Sequence, residues 1–186
     1  MGRYDTIWTM STVKLTPTSY VVLGMVAMRG PSTSYDLKRA VGHSVGYFWP
    51  FPHAQLYSEP KRLVEAGLLS LESETDGRRR QTYSITAAGM GALRKWLGEP
   101  TDEQLQVRDV AELKLFFGEF AEHDDVLALA RQQVSQHQER IAVYEEMRRR
   151  FGERKDIVDR MVPLRLGLEL EYAALRFWEQ LEKERS

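Results

Sequence analysis

Between Leu68 and Ile85 the chain changes rhythm. Leu68 to Glu74 alternates apolar and polar residues, as a half-buried strand does, and Tyr83-Ser84-Ile85 alternates again after Thr75-Asp76-Gly77 and the run Arg78-Arg79-Arg80. Two short strands joined by a basic turn make a β-hairpin. Before and after it, apolar residues return every three or four positions, which is the period of a helix. The chain therefore reads as mainly α with a small β-hairpin, and the helices around the hairpin decide the fold.

Three helices precede it. Thr16-Pro17 reads as an N-cap followed by proline at the first helical position, where a missing N–H costs nothing. Tyr20, Val22, Leu23, Val26 and Ala27 form the apolar stripe of this helix, and Gly30-Pro31 ends it. Thr33-Ser34-Tyr35-Asp36 is a capping-box variant opening a second helix, expected to reach Val41 or Ser44. The interval Gly42 to Pro52, GHSVGYFWPFP, suits a turn rather than a helix interior. A third helix is expected from His53 to Ala66, stopped by Gly67. Pro60 interrupts it at a cost of ~3 kcal/mol, which predicts a kink or a helix whose regular part starts late. After the hairpin, Thr86 caps a fourth helix whose Leu93, Trp96 and Leu97 are expected to face inward, and Gly98-Glu99-Pro100 breaks the chain. Helix, turn, helix, irregular turn, helix, basic hairpin, helix is the order of a winged helix-turn-helix domain.

Past the break the sequence becomes charged and helical. One helix is expected from Asp102 to about Phe120, with Leu105, Val110, Leu113, Phe116 and Phe117 as its apolar members. A second, from Asp124 to about Phe151, carries Ala130, Val134, His137, Ile141, Tyr144 and Met147 close to a heptad seam. A third, from Ile157 to Glu182, carries Met161, Leu164, Leu168, Tyr172, Leu175 and Trp178, with Pro163 near its start or kinking it. Long helices with an apolar stripe are marginal in water without packing, so these must meet a partner, in part a second copy. The organisation expected is an N-terminal extension over 1–14, a winged helix DNA-binding domain over 15–97, a linker over 98–101 and a C-terminal long-helix dimerisation domain over 102–186. Met10 is an alternative start, and the extension has no assignment.

Charge supports that division. Residues 1–97 hold 12 Lys and Arg against 7 Asp and Glu, a net +5, whereas residues 98–186 hold 14 against 20, a net −6. The absence of cysteine excludes disulfides, thiolate metal sites and cysteine nucleophiles. No stretch is long and apolar enough to read as a signal peptide or a membrane span, so the chain is expected in the cytoplasm, away from membranes. The histidines at 43, 53, 123 and 137 show no metal-ligand spacing, and Gly89-Met90-Gly91 lacks a phosphate-cradle context. Neither enzyme chemistry nor a cofactor is expected.

The basic turn and the third helix carry the chemistry. Arg78, Arg79 and Arg80 can pair with backbone phosphates or enter a minor groove; in isolation such a run is as often a solvated turn. On the third helix His53, Gln55, Tyr57, Ser58, Lys61 and Arg62 are candidates to reach a major groove. Gln55 and Ser58 suit base edges, and Lys61 and Arg62 suit phosphates. Tyr57 fits either this face or the core. Trp96, with Tyr47, Phe48 and Trp49, offers aromatic surface to a planar effector, or simply packs.

The stretches LTPTSYVVLGMVAMRGPSTSYDLKRAV and LYSEPKRLVEAGLLSLESETDGRRRQTYSITAAGMGALRKWL resemble the PadR family of transcriptional regulators. The resemblance rests on Tyr57, Leu63, Gly67, Leu68, Arg78 to Arg80, Tyr83, Ile85, Thr86, Gly89, Trp96 and Leu97, and it covers residues 15–97. Residues 102–182 are similar in layout to the family's longer members, whose C-terminal helices form the dimer. Pro60 and the aromatic turn depart from the family pattern. The resemblance implies a homodimer on a roughly palindromic double-stranded DNA operator, repressing neighbouring genes and released by a small aromatic or cationic effector. The alternative is a winged helix that binds protein instead of DNA.

Overall fold

A computed structural model describes residues 13–49, 52, 54–74 and 80–186, and contacts divide the chain at Asp102/Glu103 into two compact units. The first contains α1 (Pro17–Arg29), α2 (Ser34–Gly42), α3 (Gln55–Glu65), β1 (Leu69–Ser73), β2 (Gln81–Ile85) and α4 (Ala87–Gly98). The start of α1 is capped reciprocally: the Ser19 amide donates to the Thr16 hydroxyl, and the Thr16 amide to the Ser19 hydroxyl. Thr33 and Asp36 do the same for α2, at 3.1 Å in each direction. Between α2 and α3 the aromatic segment forms a short 3-10 turn at Val45–Tyr47.

Helix α3 is shorter than expected and continues through Pro60. The ring is fully buried and lies four residues after Leu56 and three before Leu63, so it shares their core-facing stripe. Apolar contact there offsets the lost hydrogen bond. The helix ends in a Schellman arrangement, with Leu68 N–H on the Leu63 carbonyl and Gly67 N–H on the Val64 carbonyl, each at 2.9 Å. Gly67 takes the positive φ of 72° that this stop requires.

Strands β1 and β2 pair antiparallel from Leu69↔Ile85 to Ser73↔Gln81, and Ser32 adds a bridge to Tyr83 on the outer edge of β2. Thr86 then joins hairpin to helix: its hydroxyl donates to the Gly67 or Leu68 carbonyl and accepts from Gly89 N–H at 3.0 Å. Gly89 is required sterically, because a Cβ there would lie 2.0 Å from the Leu68 carbonyl oxygen. Val22, Leu23, Leu37, Leu56, Leu63, Leu69 and Tyr83 form the core of this unit. Of the three inward residues expected on α4, only Leu93 is buried. Leu97 is 68% exposed, and Trp96 stacks on Tyr20 with ring centroids 4.4 Å apart while remaining 40% exposed.

The second unit contains α5 (Val110–Phe116), α6 (His123–Phe151) and α7 (Val158–Arg185). The helix expected over 102–120 is corrected here: residues 100–109 are irregular, α5 spans seven residues, and a 3-10 turn follows at Gly118–Phe120. Two local causes account for this. Asp109 caps α5 by accepting from Ala111 N–H at 2.8 Å. Leu105 and Val110 are also five positions apart, which on one helix would separate their directions by about 140°. The two long helices match their expected stripes. Pro163 lies inside α7, in its second turn.

Helices α6 and α7 pack along Ile141, Tyr144 and Leu168 at one level, and with α5 around Ala111, Ala130 and Trp178 at another. His137, on the α6 stripe, is held by Glu171: Nδ1 and Oε2 are 2.6 Å apart, and Arg140 donates to the other carboxylate oxygen at 3.2 Å. Glu171 is buried, a position that the apolar stripe of α7 does not announce. A second apolar row, Val162, Leu166, Leu170 and Phe177, runs along α7 and is exposed. No helix among the described residues is long and apolar enough to cross a membrane.

Candidate nucleic-acid interface

The exposed side of α3 carries Gln55, Tyr57, Ser58 and Lys61. Leu56, Pro60 and Leu63 occupy the opposite stripe, so the amphipathic period sorts the helix into a core face and an outer face. Tyr57 belongs to the outer one at 46% exposure. It lines a shallow concavity with Thr33, Ser34, Lys61, Arg80 and Gln81. Three elements meet there: the N-terminus of α2, the outer face of α3 and the entrance to β2. The N-terminal N–H groups of α2 carry partial positive charge, and Lys61 and Arg80 add two full charges. Such a surface suits a phosphodiester.

Arg80 sits 3.6 Å from Asp36, with both side chains substantially in solvent. An ion pair of that length and exposure is weak, so the guanidinium remains available to a stronger anion. Hydrogen bonds from Thr33, first its hydroxyl and then its amide, hold the Asp36 carboxyl below its usual pKa despite some desolvation, helped by the charges of Arg80 and Arg29.

Two of the expected contact residues have partners within the protein. Arg62 does not present its guanidinium to the outer face. Its Nε and Nη2 donate to Glu59 at 2.9 and 2.5 Å, Nη2 also to Ser19 at 2.8 Å, and Nη1 to the Lys14 carbonyl at 3.2 Å. The side chain expected to anchor a phosphate is engaged by partners of the protein itself, although it remains 34% exposed. The side-chain Oε1 of Gln55 accepts from the Thr18 hydroxyl at 2.9 Å, leaving its NH2 as the group that can donate to a base. Ser58 makes only a long 3.5 Å contact, donating to the backbone carbonyl of Gln55. His53, Arg78 and Arg79 lie outside the described residues, as do positions 1–12 with the alternative start at Met10.

Sequence reasoning passed over Ser34 and Tyr35, which open α2 beside Lys61 and Arg80. The capping motif was the available signal, since it marks where free N–H groups of a helix emerge. Glu59 and Ser19 were also missed, because a partnership across 40 residues leaves no local pattern. Tyr47, Phe48 and Trp49 remain at least two-fifths exposed and add no polar group to the concavity.

Residues 22–95 match the Transcriptional regulator PadR-like family, and residues 107–184 match the domain called Virulence activator alpha C-term. Residues 22–95 thus form a PadR-like transcriptional regulator domain. Among its relatives, the negative transcriptional regulator PadR of Bacillus subtilis is 25% identical over 125 residues, covering 66% of this chain and 68% of that protein. The crystal structure of Bacillus subtilis PadR in complex with operator DNA superposes with a TM-score of 0.81 at 20% identity, over 90% of this chain and 98% of that one. Bacillus subtilis PadR in complex with p-coumaric acid gives 0.73 at 18% identity, over 92% and 98%. At such identities the two structures establish the fold, a winged helix followed by C-terminal helices. As a PadR-like regulator the protein is a DNA-binding transcriptional regulator and not an enzyme.

Proposed function

We propose that this protein represses transcription as a cytoplasmic homodimer, each first unit reading one half of a roughly palindromic operator and the second units holding the pair together. The observation that carries the reading is the concavity in which Tyr57, Lys61 and Arg80 converge beside the N-terminus of α2. In this arrangement α3 enters the major groove with Ser58 and the Gln55 NH2 toward base edges. Tyr57 and Lys61 face the phosphates, and His53 precedes them in the chain. The basic turn with Arg78, Arg79 and Arg80 follows the backbone into the neighbouring minor groove. Symmetry places the two reading helices one helical turn of DNA apart, about 34 Å.

The dimer reading rests on the exposed row Val162, Leu166, Leu170 and Phe177 of α7. Contiguous apolar surface of this kind marks an interaction site. Release by a small molecule is proposed from the p-coumaric acid complex of Bacillus subtilis PadR, with an aromatic or cationic compound stacking on the exposed part of Trp96. Such an effector acts by favouring a spacing of the reading helices that the operator does not fit.

Gel shifts on the DNA upstream of the protein's own gene, at low and high salt, test the reading. Binding should fall steeply with salt, and changing Arg78, Arg79 and Arg80 together to Ala should lower affinity for every duplex and reduce the salt slope by about three for each protomer bound. Absence of any shift at low salt would overturn it.

A further inference from the structure

Glu59 and Arg62 flank Pro60 on the helix that faces the DNA. Proline supplies no N–H for the Leu56 carbonyl, so α3 lacks one rung in its middle. Around that gap the structure builds a clamp. The Arg62 fork closes on the Glu59 carboxylate through two hydrogen bonds and reaches α1 through the Ser19 hydroxyl. The same guanidinium touches the chain just before α1, at the Lys14 carbonyl. Glu59 is nearly buried and Ser19 fully so. Burial pushes the Glu59 carboxyl up, but hydrogen bonds from Arg62 and Ser19 outweigh it, leaving the group ionised and below its usual range. Seven residues earlier, two turns back on the same side, Gln55 accepts from Thr18. Helix α3 is thus stitched to the first turn of α1 at two points along its length, which fixes both its slide and its rotation about its own axis.

We infer that Arg62 is a positioning residue for DNA recognition: through Glu59 and Ser19 it sets the pose in which Tyr57, Ser58 and Lys61 meet the operator, and it touches no phosphate itself. The inference rests on the DNA-binding function proposed above. A small rotation of α3 would carry its base-facing side chains out of hydrogen-bonding reach, whereas phosphate attraction, which is long-range, would survive it. The clamp therefore supports discrimination between sequences more than affinity for DNA in general. Lysine cannot replace the arginine, because one ammonium cannot hold a carboxylate in a two-point fork and also bond a hydroxyl and a carbonyl.

The test uses the full chain and two fluorescent duplexes of equal length: one enriched from a random-sequence pool by the wild-type protein, the other the unselected pool. Anisotropy titrations over a range of KCl concentrations give affinity, specificity ratio and salt slope. Arg62→Lys and Glu59→Gln are each expected to weaken binding to the enriched duplex about tenfold or more, with affinity for the unselected pool and the salt slope unchanged. Ser19→Ala, a smaller lesion in the same clamp, should lower the specificity ratio in the same direction and keeps the test open if a charge variant fails to fold. A phosphate-contacting Arg62 gives the opposite pattern. Arg62→Lys would then bind normally, Glu59→Gln would tighten binding by freeing the guanidinium, and Arg62→Ala would lower the salt slope by about one for each protomer bound. That pattern overturns the inference while leaving DNA binding intact. Failure of the wild type to enrich any duplex overturns the DNA-binding function itself.

Discussion

The two units dispose of their apolar residues in different ways. In the first, side chains from α1, α2, α3, β1 and β2 close around one another, and Val22, Leu23, Leu37, Leu56 and Leu63 are wholly buried. In the second, burial is divided into two small clusters strung along a helix pair. Phe116 and Phe120 there are 79% and 81% exposed, and Leu166 and Leu170 are also open. Geometry explains the contrast. Elements crossing in several directions enclose a volume, whereas two long helices side by side bury one stripe each and leave the rest of their surface outside. The first unit finishes its own core. The second leaves an apolar row open, and in the proposed dimer a second copy offers the same row of residues in return.

The strongest way to break this comparison is to charge the open row of α7. Leu166→Glu with Leu170→Glu should convert the dimer to a single chain in sedimentation velocity. Operator affinity should fall about a hundredfold or more, because two linked half-sites gain that much from being tethered. The first unit keeps its fold, so near-normal circular dichroism should accompany the loss. A dimer that survives both charges would show that this row is not the interface.

A milder pair of substitutions sharpens the same contrast. Leu23→Ala opens a cavity in a closed core and should cost about 2–5 kcal/mol in denaturant unfolding, whatever the protein concentration. Leu166→Ala removes a similar side chain from the open row, and its cost should appear only as a weaker, concentration-dependent association. If both behave alike, the units do not differ in the way their burial indicates.

What could be read from the sequence follows the same line. Capping residues and turn glycines act over three or four positions, so Thr16, Thr33, Thr86 and Gly67 mark their helix ends correctly without tertiary knowledge. Alternation fixed the hairpin for the same reason. The cost read from Pro60 applies to an isolated helix, whereas here the ring is buried between Leu56 and Leu63 and α3 runs on through it. The expected helix over 102–120 failed where composition was trusted over phase, since Leu105 is out of step with Val110 and Asp109 caps a new start. In the candidate site, the outer face of α3 was legible from amphipathic spacing. The internal engagement of Arg62 was not, because its partners Ser19 and Lys14 lie more than 40 residues away and no local pattern pairs them.

The smallest expected effect lies within the first unit, where the helix cap and the candidate DNA surface share one residue. Asp36 accepts from the Thr33 hydroxyl at 2.7 Å and from its amide at 3.1 Å, and its carboxyl is held below the ordinary value of 3.8. A depressed carboxyl stabilises the fold above its unfolded pKa, and that contribution disappears as pH falls through the lower folded value. An Asn at this position still accepts from Thr33 but carries no charge toward Arg80 and Arg29. Asp36→Asn should therefore unfold at a slightly lower denaturant concentration than wild type at neutral pH. The gap should hold constant down to about pH 5 and close as pH drops below the usual carboxylate range. Solvent around Asp36 and Arg80 keeps the difference small, so it needs paired denaturation curves at each pH to resolve. A gap that persists undiminished at the lowest pH would mean that the aspartate contributes through cap geometry alone and that its charge is idle in the free protein.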